Sequence, residues 1–177
     1  PNPKPQTPNP KPHQISSHDS IRSKSFQAQL LIMINFILLV NKLGQTRLAQ
    51  YYTDMPLVER RTLESELVRK CLSRDESKCC IVIYRNMKII YRRYVSLYFI
   101  IGTDLSDENE YVYYTFIHLL VETLNSYFEK VCELDIIMNI EKAYFILDEM
   151  VQNGQILEAN KAKIIEPLLM LDKAKAI

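Results

Sequence analysis

The sequence predicts an α+β domain in which one antiparallel sheet of five strands packs between helices, in the order ββαβββααα. Three observations predict it. An apolar run around residue 35 leads into a turn, three short β-type runs follow one another between residues 79 and 101, and the segments between and after them carry helical apolar periodicity.

From Leu30 to Val40 every residue except Asn35 is apolar. A membrane-spanning helix needs about 20 such residues, and no small-residue cleavage site follows, so the run reads as a buried first strand rather than a membrane span or a signal core. Asn41 to Arg47, with Gly44 inside it, is a turn into a second strand over 47–52. Asp54 and Pro56 signal a helix over about 57–73, and Leu63, Leu67, Val68, Cys71 and Leu72 fall on one face of it. Strands at 79–84 and 88–94 are separated by Arg85-Asn86-Met87, and a third runs from Val95 to Ile101, ending at Gly102. The polar stretch Thr103 to Asn109 caps a long helix with a buried face of Val112, Phe116, Leu120, Leu124, Phe128 and Val131. A second helix runs from near Asn139 through Ala143, Leu147 and Met150 to Gly154, which reads as the residue just past its end. The last starts near Asn160 and carries Ile164, Ile165, Leu168, Leu169 and Leu171, with Pro167 either kinking it or splitting it in two.

The chain has 177 residues, 47% of them hydrophobic and 24% charged, which suits one domain of 33–177 preceded by a tail. Six of the eight prolines lie at positions 1, 3, 5, 8, 10 and 12, in the near-repeat Pro1-Asn2-Pro3-Lys4-Pro5 and Pro8-Asn9-Pro10-Lys11-Pro12. Residues 1–32 therefore read as a disordered Pro-rich extension or leader. It is either a docking or targeting tail, or a stretch ahead of a natural start at Met33, and the second reading is preferred. Lys+Arg 22 against Asp+Glu 21 leaves a net charge of +1. Lys4, Lys11, Arg22 and Lys24 against Asp19 make the tail positive, so the body is slightly negative and has no general field for nucleic acid or anionic lipid.

Candidates for catalysis are few. Cys71, Cys79, Cys80 and Cys132 show no CxxC spacing and, with His118 the only histidine after residue 18, make no zinc set, so they read as reduced thiols. His118 lies on the flank of the long helix's apolar face and reads as a structural histidine. The three glycines build no phosphate cradle. Carboxylate pairs such as Asp107-Glu108 and Asp148-Glu149, with Glu133 and Asp135, read as caps and solvated faces. In Arg92-Arg93, strand alternation sends one guanidinium to each face, and the inward one must find a carboxylate or carbonyl. No cofactor is expected, and no enzymatic activity.

Five ordered motifs converge on one family. The segments from Phe36 to Leu48, Lys88 to Tyr94, Phe116-Ile117-His118, Cys132 to Ile136 and Leu147-Asp148-Glu149-Met150 resemble the sigma, or small, subunits of the heterotetrameric clathrin-type adaptor complexes, over Met33 to about Lys173. Arg69 to Arg74, Glu108-Asn109-Glu110 and Pro167 to Lys173 look most like those of the fourth adaptor complex.

The resemblance implies a longin-like fold, in agreement with the element order read from periodicity. It implies direct contact with a large epsilon-type adaptin, in a heterotetramer with beta and mu subunits. It also implies cargo sorting without clathrin on the cytosolic face of trans-Golgi network or endosomal membranes, with membrane attachment through the complex. Related sigma chains receive acidic dileucine signals of the form [D/E]xxxL[L/I]. By position, Val95, Leu97, Val121, Val131 and Ile136 would line the pocket for the two leucines, and Arg47 would face the acidic end. Lys130 stands where better-known dileucine binders tend to carry Asn, and Val95 where a smaller residue is common. The competing readings are a free longin module that binds a small GTPase or SNARE, though no coiled-coil heptads follow Lys173, and an enzyme using Cys79 or His118.

Overall fold

A computed structural model describes residues 33–74 and 79–175. The expected extension, 1–32, lies outside the described residues. The elements are β1 (Ile34–Asn41), β2 (Thr46–Tyr51), α1 (Leu57–Leu72), β3 (Ile81–Tyr84), β4 (Met87–Tyr94), β5 (Leu97–Asp104), α2 (Glu110–Phe128), α3 (Glu133–Met138), α4 (Ile140–Met150), β6 (Val151–Gln152), β7 (Gln155–Ile156) and α5 (Lys161–Lys175). The expected five-stranded antiparallel sheet is present, in the order β2-β1-β5-β4-β3.

Every residue of β1 is buried, because helices cover both faces of the sheet and β2 and β5 flank it. Phe36, Leu38 and Val40 join Leu63, Leu67 and Cys71 of α1 in one core. Ile34, Ile37 and Leu39 join the larger core, which holds Phe116, Leu120 and Leu124 of α2 together with residues of α4 and α5. Ile34 shares a face with Ile37 despite the odd spacing because the register against β5 shifts between Ile34 and Phe36. Asn35, the one polar residue of the run, sits at that irregularity. Its amide nitrogen donates to Asp104 Oδ1 at 2.8 Å, and its carbonyl accepts the Tyr52 N–H at 2.9 Å.

Two glycines are required by close approaches. Gly102 pairs with Phe36 across the strands, and a Cβ there would stand 2.2 Å from the phenyl ring. Gly154 turns the β6–β7 hairpin at φ +79°, and its carbonyl accepts the N–H of Ile34 at 2.8 Å. At the edge of the sheet, the hydroxyl of Tyr144 from α4 reaches both the N–H and the C=O of Ala49 and so occupies two backbone groups of the edge strand β2.

The structure corrects several expectations. The third β-run begins at Leu97 rather than Val95, because Val95 and Ser96 form the β4–β5 turn and Val95 adopts φ +53°. The long helix stops at Phe128, where Glu129 turns to φ +64°, so Val131 lies beyond it. Its buried face is centred on Tyr113, Ile117, Leu120 and Leu124, with Val112 on the flank. The short α3 was not expected from sequence. The helix expected to end at Gly154 ends at Met150, and the chain turns into a hairpin. Pro167 is accommodated within a single α5.

Asp107 is no solvated carboxylate. It is buried, accepts the Tyr113 hydroxyl and the Asn109 N–H (2.8 Å), and lies beside Lys88, whose Nζ donates to the Asp107 carbonyl and to Glu110, both at 2.6 Å. That set of bonds ties β4, through Lys88, and the loop after β5 to the start of α2. The inward Arg92 also departs from expectation: its guanidinium lies over the rings of Tyr94 (4.8 Å) and Tyr114 (4.5 Å), so aromatic faces receive the charge.

Gly102→Ala is expected to lose about 1–3 kcal/mol, because Phe36 is fully buried and has no room to retreat. Urea unfolding checks this as a lower midpoint at unchanged slope.

Candidate functional site

The end of the sheet where β1 meets β2 and β5 gathers most of the residues singled out in the sequence. Asn41, the last residue of β1, pairs with Leu97, the first of β5. Opposite, the β1–β2 register jumps so that Leu39 faces Leu48 and Val40 faces Thr46, which leaves Arg47 as the extra residue of a bulge. A bulge re-aims a side chain out of strand alternation, and here the guanidinium turns toward the first residue of α3, Glu133.

The contacts there converge on one oxygen. Arg47 Nε donates to Glu133 Oε1 at 2.7 Å, Arg47 Nη2 lies 2.7 Å from the same atom, and Asn41 Nδ2 donates to it at 2.8 Å. Gln45 Oε1 accepts from both donors, from Arg47 Nη2 at 2.7 Å and from Asn41 Nδ2 at 3.0 Å, and so fixes their aim. Asn41 is only 2% exposed, and its side-chain Oδ1 accepts the N–H groups of Leu43 (3.0 Å) and Gln45 (2.8 Å). The turn therefore closes on Asn41 while the asparagine serves the carboxylate. Arg47 and Glu133 remain partly exposed, at 27% and 29% of their side chains. The hydrogen bond from Asn41 first, and that from Arg47 after it, hold the Glu133 carboxyl below the ordinary range.

Behind this charged rim lies an apolar wall. Leu97, Val121 and Ile136 are buried in one core cluster, and Val131, half-buried, packs against it. The Val131 N–H is fixed by Asn125 Oδ1 at 2.9 Å, and the Cys132 N–H by Asp135 Oδ2 at 2.8 Å, which sets the entry into α3. Leu97, through its pairing with Asn41, and Ile136, in the same short helix as Glu133, lie beside Arg47, while Val121 shares their core cluster. Val95 is outside that cluster and sits on the hairpin turn, 78% exposed. Lys130 is exposed beside Val131. Nearby, Leu39, Leu48, Leu120 and Leu124 help line a cavity of about 10 Å³. That is room for about one water, and its lining includes none of the residues expected for the site.

Sequence reading missed Asn41 and misread Glu133 as a surface carboxylate. The available signal was the position of Asn41, a polar residue closing an apolar strand, since a buried amide must find partners for all its donors and acceptors.

Other candidates sort differently. His118 is half-exposed, with Nδ1 3.1 Å from the Tyr94 hydroxyl and Nε2 3.3 Å from Glu122. The Cys71 thiol is buried, and burial pushes it up to about 12, which keeps it protonated and inert. Two surface grooves border α2. One, about 260 Å³, is floored by Phe116, Leu119 and Ile156; the other, about 510 Å³, runs beside Ile165, Leu169 and Met170 of α5. Neither includes a residue expected for the site. Among the described residues no helix is long and apolar enough to cross a membrane.

Comparison with known proteins gives a consistent set of similarities. The family described as the clathrin adaptor complex small chain matches residues 33–175. The chain is 58% identical over 141 residues to the AP-4 complex subunit sigma of Arabidopsis thaliana, covering 80% of this chain and 98% of that one. It is 49% identical over 141 residues to the AP-4 complex subunit sigma-1 of Homo sapiens, covering 80% and 97%. In three dimensions it is similar to a chain of a homology model of the full-length AP-3 complex in a stretched open conformation, with a TM-score of 0.65 at 28% identity, over 80% of this chain and 95% of that one.

Two outcomes follow for the rim. Asn41→Ala removes every side-chain partner of the turn at once and is expected to destabilise the domain by about 1–3 kcal/mol, read as a lower urea midpoint. Because Glu133 is held below its ordinary value when folded, its contribution is complete above the usual carboxylate range and fades as pH falls through the lowered value. Glu133→Gln should flatten that acid limb in a series of thermal melts from neutral pH downward, while the remaining limb, from Asp135, Glu122 and Glu158, persists.

Proposed function

The chain belongs to the clathrin adaptor complex small chain family, and on that premise we propose that it is the sigma subunit of an adaptor complex of the fourth type, working in vesicle-mediated protein transport. The observation that carries this reading is its near end-to-end match with AP-4 sigma subunits. It acts by contact rather than catalysis. Its direct partner is a large epsilon-type adaptin, in a heterotetramer with beta and mu subunits, and the assembly sorts cargo on the cytosolic face of trans-Golgi network or endosomal membranes. The exposed Leu134 and Met138 of α3 and Leu169 and Met170 of α5 support a subunit whose surface is completed by a partner.

The end of the sheet that carries Arg47 receives acidic dileucine peptides. The wall of Leu97, Val121, Val131 and Ile136 takes the leucines, and the rim takes the acidic residue. Burying two leucines contributes roughly 1.5–3 kcal/mol each before ordering is subtracted. Since Leu97, Val121 and Ile136 are buried in the unliganded chain, part of that gain goes to exposing them, which lowers apparent affinity in proportion to the open fraction. Weak, reversible capture is the result, as repeated loading and release of cargo require.

Co-expression of the full chain with the trunk of the epsilon-type subunit is expected to give one stoichiometric species by gel filtration. A chain that instead elutes alone as a stable monomer makes it a free longin module. On the assembled complex, a fluorescent peptide of the acidic dileucine type should lose at least about tenfold in affinity when both leucines become alanine.

A further inference from the structure

The rim of the proposed signal site is already filled by the chain itself. Three donors, Arg47 Nε, Arg47 Nη2 and Asn41 Nδ2, meet on one carboxylate oxygen, and Gln45 orients both side chains that supply them. That arrangement is a carboxylate-binding site by chemistry: a guanidinium edge and an amide, preset by a bulge and a buried strand end. Its occupant is Glu133, whose helix is anchored in the core by Ile136 while Leu134, Ile137 and Met138 remain exposed. A helix of one and a half turns held by one buried side chain, an end cap and this carboxylate is a low-stability element, suited to being displaced.

We propose that Glu133 is an internal competitor for the acidic end of the sorting signal, holding the Arg47–Asn41 carboxylate site in the unliganded chain so that an incoming acidic residue is read only by replacing it. The idea rests on the dileucine reading given above and adds a specificity device to it. Exchange of one carboxylate for another at the same donors changes little in net energy. The acidic residue of the peptide therefore contributes little while Glu133 is present, and the leucines dominate selection. Removing the competing charge unmasks the preference for acid. Release of Glu133 also loosens the first turn of α3, whose Ile136 belongs to the apolar wall, so reading of the acid and opening of the wall are coupled.

The test uses the assembled heterotetramer and two labelled peptides that differ only in Glu or Gln at the acidic position of an otherwise identical ExxxLL sequence. The quantity read is the ratio of their affinities, in the wild type and in Glu133→Gln. The amide keeps the size and an acceptor oxygen, so the variant alters charge rather than shape. The ratio is expected to rise by about two- to fivefold in the variant, the range of a partly exposed ion pair, and to fall back when Arg47→Gln is added. Equal ratios in wild type and Glu133→Gln overturn the role of Glu133 while leaving the sorting-signal site in place. Failure of both complexes to bind either peptide overturns the site itself. A second measurement needs no variant: in the wild-type complex, saturating Glu peptide should speed amide exchange across 134–138 more than the Gln peptide does, and identical exchange with the two peptides overturns the proposal.

Discussion

Everything in this domain is arranged around a strand that has no exposed side. β1 is hydrogen-bonded on both edges and buried on both faces, so the chain must supply a layer of helix above it and another below. α1 supplies one through Leu63, Leu67 and Cys71, and α2, α4 and α5 supply the other. The two ends of β1 carry the polar residues that such burial makes expensive, Asn35 and Asn41, and each is answered by a dedicated partner set. The Arg47–Glu133 rim is thus a by-product of ending a buried strand: the amide that terminates β1 also gathers the charges around it.

The sheet and four of the helices were legible because their signals are local. An apolar run, short β-branched runs separated by turn residues, and the 63/67/71 spacing each report burial of their own segment. What failed was boundary and conformation. Val95 reads as strand because β-branched residues favour strands, yet the turn needs two residues between Tyr94 and Leu97, and the pairing of those two fixes Val95 in a left-handed conformation. α3 is too short to show a period, and Gly154 served a hairpin turn where it resembled a helix end.

The site was legible in a different sense. Leu97, Val121, Val131, Ile136 and Arg47 came from resemblance, and no periodicity connects them, since they lie on β2, β5, α2, α3 and the segment between the two helices. The pairing of Asn41 with Leu97 and the bulge at Arg47 bring β2 and β5 together beside the start of α3. Glu133 and Asn41 escaped because a lone carboxylate and a lone amide carry no spacing signal. For Asn41 the one sequence signal is its place at the end of an apolar run, and for Glu133 there is none.

The bond between Ile34 and Gly154 bears on how this chain is made. β1 is among the first parts of the domain to leave the ribosome, but its neighbour β5 is translated well after it, and the hairpin that accepts its first N–H comes near the end of the chain. The apolar strand must therefore wait, unpaired on one edge, until Leu97–Asp104 is made, and its first N–H waits longer for Gly154. Long-range β-pairing of this kind is slow, and until it forms the open edge of β1 is a place where another strand can add.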